Sequence, residues 1–147
     1  RVLPDLRVER DTLVPKSAYT NPSPAAGVPE RVDVAKLWEL YTAGNTVFIG
    51  HLQKVWAPAL TIAGPLCSTL ACQANVLAVA TAPHQAGVPA HHDELDVVVI
   101  QAQGTKNWRV WPTRSEGRDK FRVIEADREG APVIEVTLQP GDVLYLP

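Results

Sequence analysis

His91 and Asp93 sit two positions apart in the run His91-His92-Asp93. In extended backbone, side chains two apart point the same way. An imidazole nitrogen and a carboxylate oxygen can then reach one ion, and this donor pair suits Fe(II), Mn(II) or Zn(II). His-x-Asp supplies two of the three ligands of a 2-His-1-carboxylate face, which leaves coordination positions open for substrate and oxygen. The competing reading is a polar loop end whose His and Asp solvate or cap. His92 alternates to the opposite side and reads as a bystander. Glu94 and Asp96 read as groups behind the ligands or as surface charge. His51 and His84 have no comparable partner spacing.

The pair must be carried by the segments around it. Residues 96–103 and 106–111 read as strands, joined by Gly104-Thr105. Gly at the first turn position suits a two-residue II′ hairpin. That hairpin would pair Gln103 with Lys106, Gln101 with Trp108 and Val99 with Val110. Paired residues share a face, so Lys106, Trp108, Gln101, Val99 and Val97 fall together. If that face lines a barrel, Lys106 is a buried or half-buried cation, and burial of an ammonium is costly without an anion. A bound carboxylate is one such anion. Otherwise Lys106 stands in solvent at the hairpin rim, the placement periodicity alone favours.

Upstream, residues 1–32 are an extended lead-in with Pro4, Pro15, Pro22, Pro24 and Pro29, and a short strand is expected near residues 6–8. Residues 33–43 read as a helix with Asp33 as N-cap and Gly44 at C′. Val34, Leu37, Trp38 and Tyr41 form its apolar stripe, with Trp38 and Tyr41 read as core packing. Thr46-Val47-Phe48-Ile49 is β-rich. A second helix is expected to start near Pro58, with Leu60, Ile62, Leu66 and Leu70 as its apolar positions. Gly64-Pro65 should kink or split it. From Asn75 strands follow: residues 76–81, a loop over 83–90, the central stretch, a charged loop over 113–130, a strand over 133–138, a Pro140-Gly141 turn and a last strand over 142–147. Helices followed by short strands indicate a mainly β fold, a barrel or sandwich with helices outside.

Bulk properties exclude several classes. The 147 residues suffice for one domain with a core. A formal net charge of -2 gives no basic surface for direct nucleic-acid binding. No apolar run approaches the ~20 residues of a membrane span, and a cytoplasmic location is expected. Cys67 and Cys72 are five apart, on different helix faces, and read as plain buried thiols. There is no initiator Met, and the chain stops inside an apolar run at Pro147, so the sequence reads as the core of a longer protein.

Three stretches together resemble a known family. They are Pro89-Ala90-His91-His92-Asp93-Glu94-Leu95-Asp96-Val97, then Gln101 with Gly104-x-Lys106-x-Trp108-Arg109, and Gln139-Pro140-Gly141-Asp142-Val143-Leu144-Tyr145-Leu146-Pro147. The chain resembles the JmjC-type cupin oxygenases, and within them the ribosomal-oxygenase-like (cupin-4) group. Gly44-Asn45-Thr46-Val47-Phe48-Ile49, Trp56 and Thr81-Ala82-Pro83 fit the same group, so the likeness covers most of residues 33–147.

The resemblance implies a double-stranded β-helix (cupin or jelly roll) with flanking N-terminal helices. In that layout residues 33–74 are the helical flank and 75–147 the barrel core, its C-terminal strands missing. It implies Fe(II) as metal, 2-oxoglutarate as cosubstrate and hydroxylation of a protein or peptide side chain. His91 and Asp93 match the first two iron ligands, and Lys106 the lysine that meets the distal carboxylate of 2-oxoglutarate. The family's third ligand, a His, lies a few residues beyond the Leu-Pro that ends this chain. Relatives often carry Asn and Tyr where Leu77 and Val79 stand; Asn75, on the same strand face, is a candidate substitute. Relatives also dimerise through a segment C-terminal to the barrel, so a homodimer is implied. The alternatives are a non-catalytic cupin module that binds a metal or a partner, and a small-molecule hydroxylase.

Overall fold

The computed structural model describes residues 5–112, 122–123 and 130–147. The charged loop expected over 113–130 lies outside the described residues, apart from 122–123 and 130. The fold is mostly β, and it divides into two compact units, Arg1–Val88 and Pro89–Pro147.

In the first unit, strands β1 (Leu6–Glu9), β4 (Thr46–Ile49) and β5 (Ala78–Thr81) form an antiparallel sheet in the order β1-β4-β5. Two short strands, β2 (Thr20–Asn21) and β3 (Arg31–Val32), pair with each other. Alternation along β1 turns Leu6 and Val8 inward, where they pack with Tyr19 and Val47. The Tyr19 hydroxyl donates to the Leu6 carbonyl at 3.2 Å, which satisfies its buried polar end. Three of these four core residues come from the proline-rich lead-in. Prolines fix the path between them without preventing the alternation that buries them.

Helix α1 (Val34–Thr42) forms where expected. The Asp33 carboxylate accepts from the Ala35 and Lys36 N–H groups, which lack intrahelical partners. At the other end, Gly44 at φ +100° donates to Tyr41 O, and Asn45 N donates to Leu40 O at 3.1 Å, a Schellman closure. The buried side differs from the predicted stripe. Leu37, Leu40 and Tyr41 pack on the core, while Val34 and Trp38 are 73% and 64% exposed. Trp38 is therefore not a core residue; it stacks on Tyr41 with ring centroids 5.2 Å apart.

Helix α2 (Pro58–Leu70) starts at Pro58 and runs unbroken through Pro65, so the expected split does not occur. Its buried positions are Ala59 and Ala63, one turn apart, rather than Leu60, Ile62 and Leu70, which are exposed. Small side chains let the helix axis approach its support closely, and hydropathy alone does not report that preference. Cys67 is half-buried and Cys72 exposed, both free, so the expectation of two buried thiols fails for Cys72.

The second unit is built on one long antiparallel pairing. Strand β7 (Val97–Ile100) pairs with β11 (Val143–Leu146), and β8 (Lys106–Val110) with β10 (Ile134–Leu138). The registers nest: Val97 faces Leu146, Ile100 faces Val143, Lys106 faces Leu138 and Val110 faces Ile134. Residues 97–110 thus run as one arm against 134–146. Between the two ladders, Gln101 N donates to Asp142 O at 3.0 Å and Gly141 N donates to Gln101 O at 2.9 Å. The predicted β7–β8 hairpin is therefore wrong. Gly104, at φ +66°, makes a corner in one arm. A left-handed glycine serves a corner as well as a hairpin, and only the distant arm decides which. Opposite it, Gln139-Pro140-Gly141-Asp142 is a type II turn, with Pro140 at the second position, Gly141 at φ +97° and Asp142 N donating to Gln139 O. Strand β6 (His91–His92) pairs with β9 (Arg122–Val123).

Candidate metal centre

His91 is held by β6, and Asp93 follows directly after the strand. Their side chains converge, with His91 Nε2 3.5 Å from Asp93 Oδ2. Two donors each about 2.1 Å from one ion lie roughly 3.0–3.4 Å apart at angles of 90–109°, so the pair is spaced for shared ligation. The other ring nitrogen, Nδ1, is 2.8 Å from the Pro89 carbonyl. A carbonyl only accepts, so Nδ1 carries the hydrogen and Nε2 is the nitrogen able to bind a metal. Backbone anchoring of this kind orients metal-binding histidines generally. The anchor is a backbone carbonyl, which every residue type carries, so no residue identity in the sequence announces it. Among the described residues no group of three His, Cys, Asp or Glu side chains converges on one point. The donor set thus fits a metal as a pair.

Lys106 lies on the alternating face of β8 that also carries Trp108 and Val110; all three are half-buried, while Asn107 and Arg109 are exposed. Lys106 is therefore not a fully solvated residue. Burial pushes the Lys106 ammonium below its ordinary range. Its Nζ stands 5.6 Å from the centre of the Trp108 ring. In the ladder, Lys106 faces the buried Leu138 and Trp108 faces Val136. On β7, Val97 and Val99 are likewise the half-buried positions. Alternation within each strand still groups Lys106 with Trp108 and Val97 with Val99, but the hairpin pairing that joined the two groups is gone.

The remaining candidates make contacts of their own. Gln101 Nε2 donates to the carbonyls of Gln103 at 2.9 Å and Gly104 at 3.3 Å, bracing the corner. Asp96 accepts from the Tyr145 hydroxyl at 2.8 Å, and this bond raises the Tyr145 pKa. Asn75 belongs to the first unit. Its Oδ1 accepts from His51 N at 3.1 Å and from Gln53 Nε2 at 3.4 Å. His51, left-handed at φ +52°, pairs through Nδ1 with Asp5 Oδ2. Leu77 and Val79 are 48% and 44% exposed.

The JmjC domain family matches residues 56–147. Ribosomal oxygenase 1 of Homo sapiens is 29% identical over 81% of this chain and 19% of its own length. Ribosomal oxygenase 2 of Bos taurus is 44% identical over 42% of this chain and 13% of its own. The bifunctional lysine-specific demethylase and histidyl-hydroxylase NO66 of Culex quinquefasciatus is 27% identical over 76% of this chain and 18% of its own. The chain thus spans between 13% and 19% of the length of these relatives. The match covers more than half of the chain and includes the His91–Asp93 pair, Lys106 and the Pro140-Gly141 turn, and the chain belongs to the JmjC domain family.

Proposed function

We propose that this chain carries the reaction centre of an Fe(II)- and 2-oxoglutarate-dependent dioxygenase that hydroxylates a side chain of a protein or peptide. The observation that carries the reading is the His91–Asp93 pair, 3.5 Å between donor atoms, with Nδ1 of the histidine tied to a backbone carbonyl. On this reading His91 Nε2 and Asp93 Oδ2 hold iron, together with a histidine from outside residues 1–147. A double-stranded β-helix is supported by the nested β7–β11 and β8–β10 pairings of the second unit. When bound, Fe(II) and 2-oxoglutarate supply the oxidising power for C–H hydroxylation, with succinate and carbon dioxide as coproducts.

Lys106 receives the distal carboxylate of 2-oxoglutarate in a charge-assisted contact. Its half-burial costs solvation of the ammonium, and an arriving anion recovers part of that cost, so the lysine discriminates against neutral ligands. The Trp108 ring, its centre 5.6 Å from Lys106 Nζ, supplies apolar wall beside the contact. A protein substrate is supported by the relatives' names, histidyl-hydroxylase and ribosomal oxygenase among them. The test is succinate formation by full-length protein with iron, 2-oxoglutarate and candidate peptides. The reading expects substrate-dependent succinate and a 16 Da gain on the peptide. No succinate from protein that binds iron would contradict it.

A further inference from the structure

Trp108 carries a buried polar atom with no hydrogen-bond partner among the described residues, its indole Nε1. Buried indole N–H groups ordinarily find an acceptor. Trp111, three residues on, does so by donating to Gly130 O at 2.9 Å. The ladder offers Trp108 nothing comparable, because the residue opposite it is Val136. Trp108 also shares its strand face with Lys106, whose Nζ lies 5.6 Å from the ring centre.

We propose that the Trp108 indole N–H is a second donor to the carboxylate received by Lys106, so that the two side chains grip one carboxylate group together. This rests on the 2-oxoglutarate reading above. The two oxygens of a carboxylate are about 2.2 Å apart, and each accepts at about 2.8–2.9 Å. Such a group can meet an ammonium and an indole N–H at once, and Lys106 Nζ stands 5.6 Å from the centre of the Trp108 ring. The ammonium is a compact charge that leaves the carboxylate plane free to turn. A donor in a rigid ring, placed on the same face, fixes that plane and with it the direction of the rest of the dicarboxylate. Trp108 is a positioning residue for the cosubstrate, with specificity for a ligand whose far end is an anion.

The test uses full-length protein loaded with zinc(II), which is diamagnetic, and ¹⁵N-labelled at tryptophan, with the indole resonances assigned through the backbone. The Trp108 N–H resonance is expected to move downfield on addition of 2-oxoglutarate. Succinate, which keeps the distal carboxylate, should move it as well, and pyruvate, which lacks that carboxylate, should not. Calorimetry on Trp108→Phe should show 2-oxoglutarate binding weakened about 5–10-fold. A stationary Trp108 resonance while 2-oxoglutarate binds, or an equal response to pyruvate, overturns the inference and leaves the 2-oxoglutarate reading standing. Absence of any 2-oxoglutarate binding to the wild type removes both. The wild-type titration requires no variant, so it decides even if Trp108→Phe fails to fold.

Discussion

His91 Nε2 stands 3.5 Å from Asp93 Oδ2 while His91 Nδ1 is held 2.8 Å from the Pro89 carbonyl. The backbone two residues upstream therefore decides which ring nitrogen meets the carboxylate. This ties tautomer, strand and ligand geometry into a stretch of five residues.

Lys106 is a polar group kept at a cost. Its folded-state pKa is depressed by burial, so the fold binds the Lys106 proton less tightly than the unfolded chain does. The penalty is present in full below the lowered folded pKa. It is relieved as pH rises through that value towards the ordinary 10.5. In Lys106→Met this titration is gone, so the melting temperature of the ligand-free protein should rise less between pH 7 and pH 10 than the wild type's does. 2-Oxoglutarate binding should be lost in the same variant. Thermal melts at several pH values check this; the same pH dependence in both proteins would contradict it.

Tyr145 and Asp96 form a titratable couple across β11 and the start of β7. The Asp96 carboxylate accepts the phenol hydrogen, which holds the Tyr145 pKa above its ordinary range. In Asp96→Asn the pKa should fall back towards the ordinary value. Ultraviolet difference titration of the phenolate, with Tyr145→Phe identifying the signal, reads the change. An unchanged titration in Asp96→Asn would show that the bond does not form.

Gly141 holds φ +97° at the corner where the two arms of the ribbon turn together. A Cβ there meets no atom within 4 Å, so backbone strain alone sets the cost of a side chain. Gly141→Ala should destabilise by about 1–2 kcal/mol, the ordinary penalty for a left-handed L-residue. Denaturant unfolding measures it, and a neutral result would place the corner in a different turn.

Gly44 has the same conformational need and less room. It closes α1 at φ +100°, and an added Cβ would stand 3.2 Å from Gln85 Cδ and 3.3 Å from an Arg10 guanidinium nitrogen. Gly44→Ala should therefore cost more than Gly141→Ala in the same assay.

What the sequence disclosed was local. Asp33 and Gly44 mark the ends of α1 because cap chemistry acts within a few residues, and His91 and Asp93 converge because period-2 alternation needs no distant partner. The pairing of β7 and β8 was illegible because Gly104 permits a hairpin and a corner alike, and residues 134–146 decide between them. The outward Trp38 had the same origin: Val34, Leu37, Trp38 and Tyr41 define a stripe, but only the support beneath α1 fixes which edge is buried. The core role of Leu6, Val8 and Tyr19 was masked by the prolines around them.

Metal binding at the His-x-Asp pair tests the account most directly. Calorimetric titration of the metal-free full-length protein with Mn(II), an oxygen-stable stand-in for Fe(II), should give one site. His91→Ala and Asp93→Ala should each weaken it by at least about 100-fold, beyond the effect of disturbing a supporting group. His92→Ala, whose side chain alternates to the other side, should bind as wild type does. Undiminished affinity in both His91→Ala and Asp93→Ala would contradict the account.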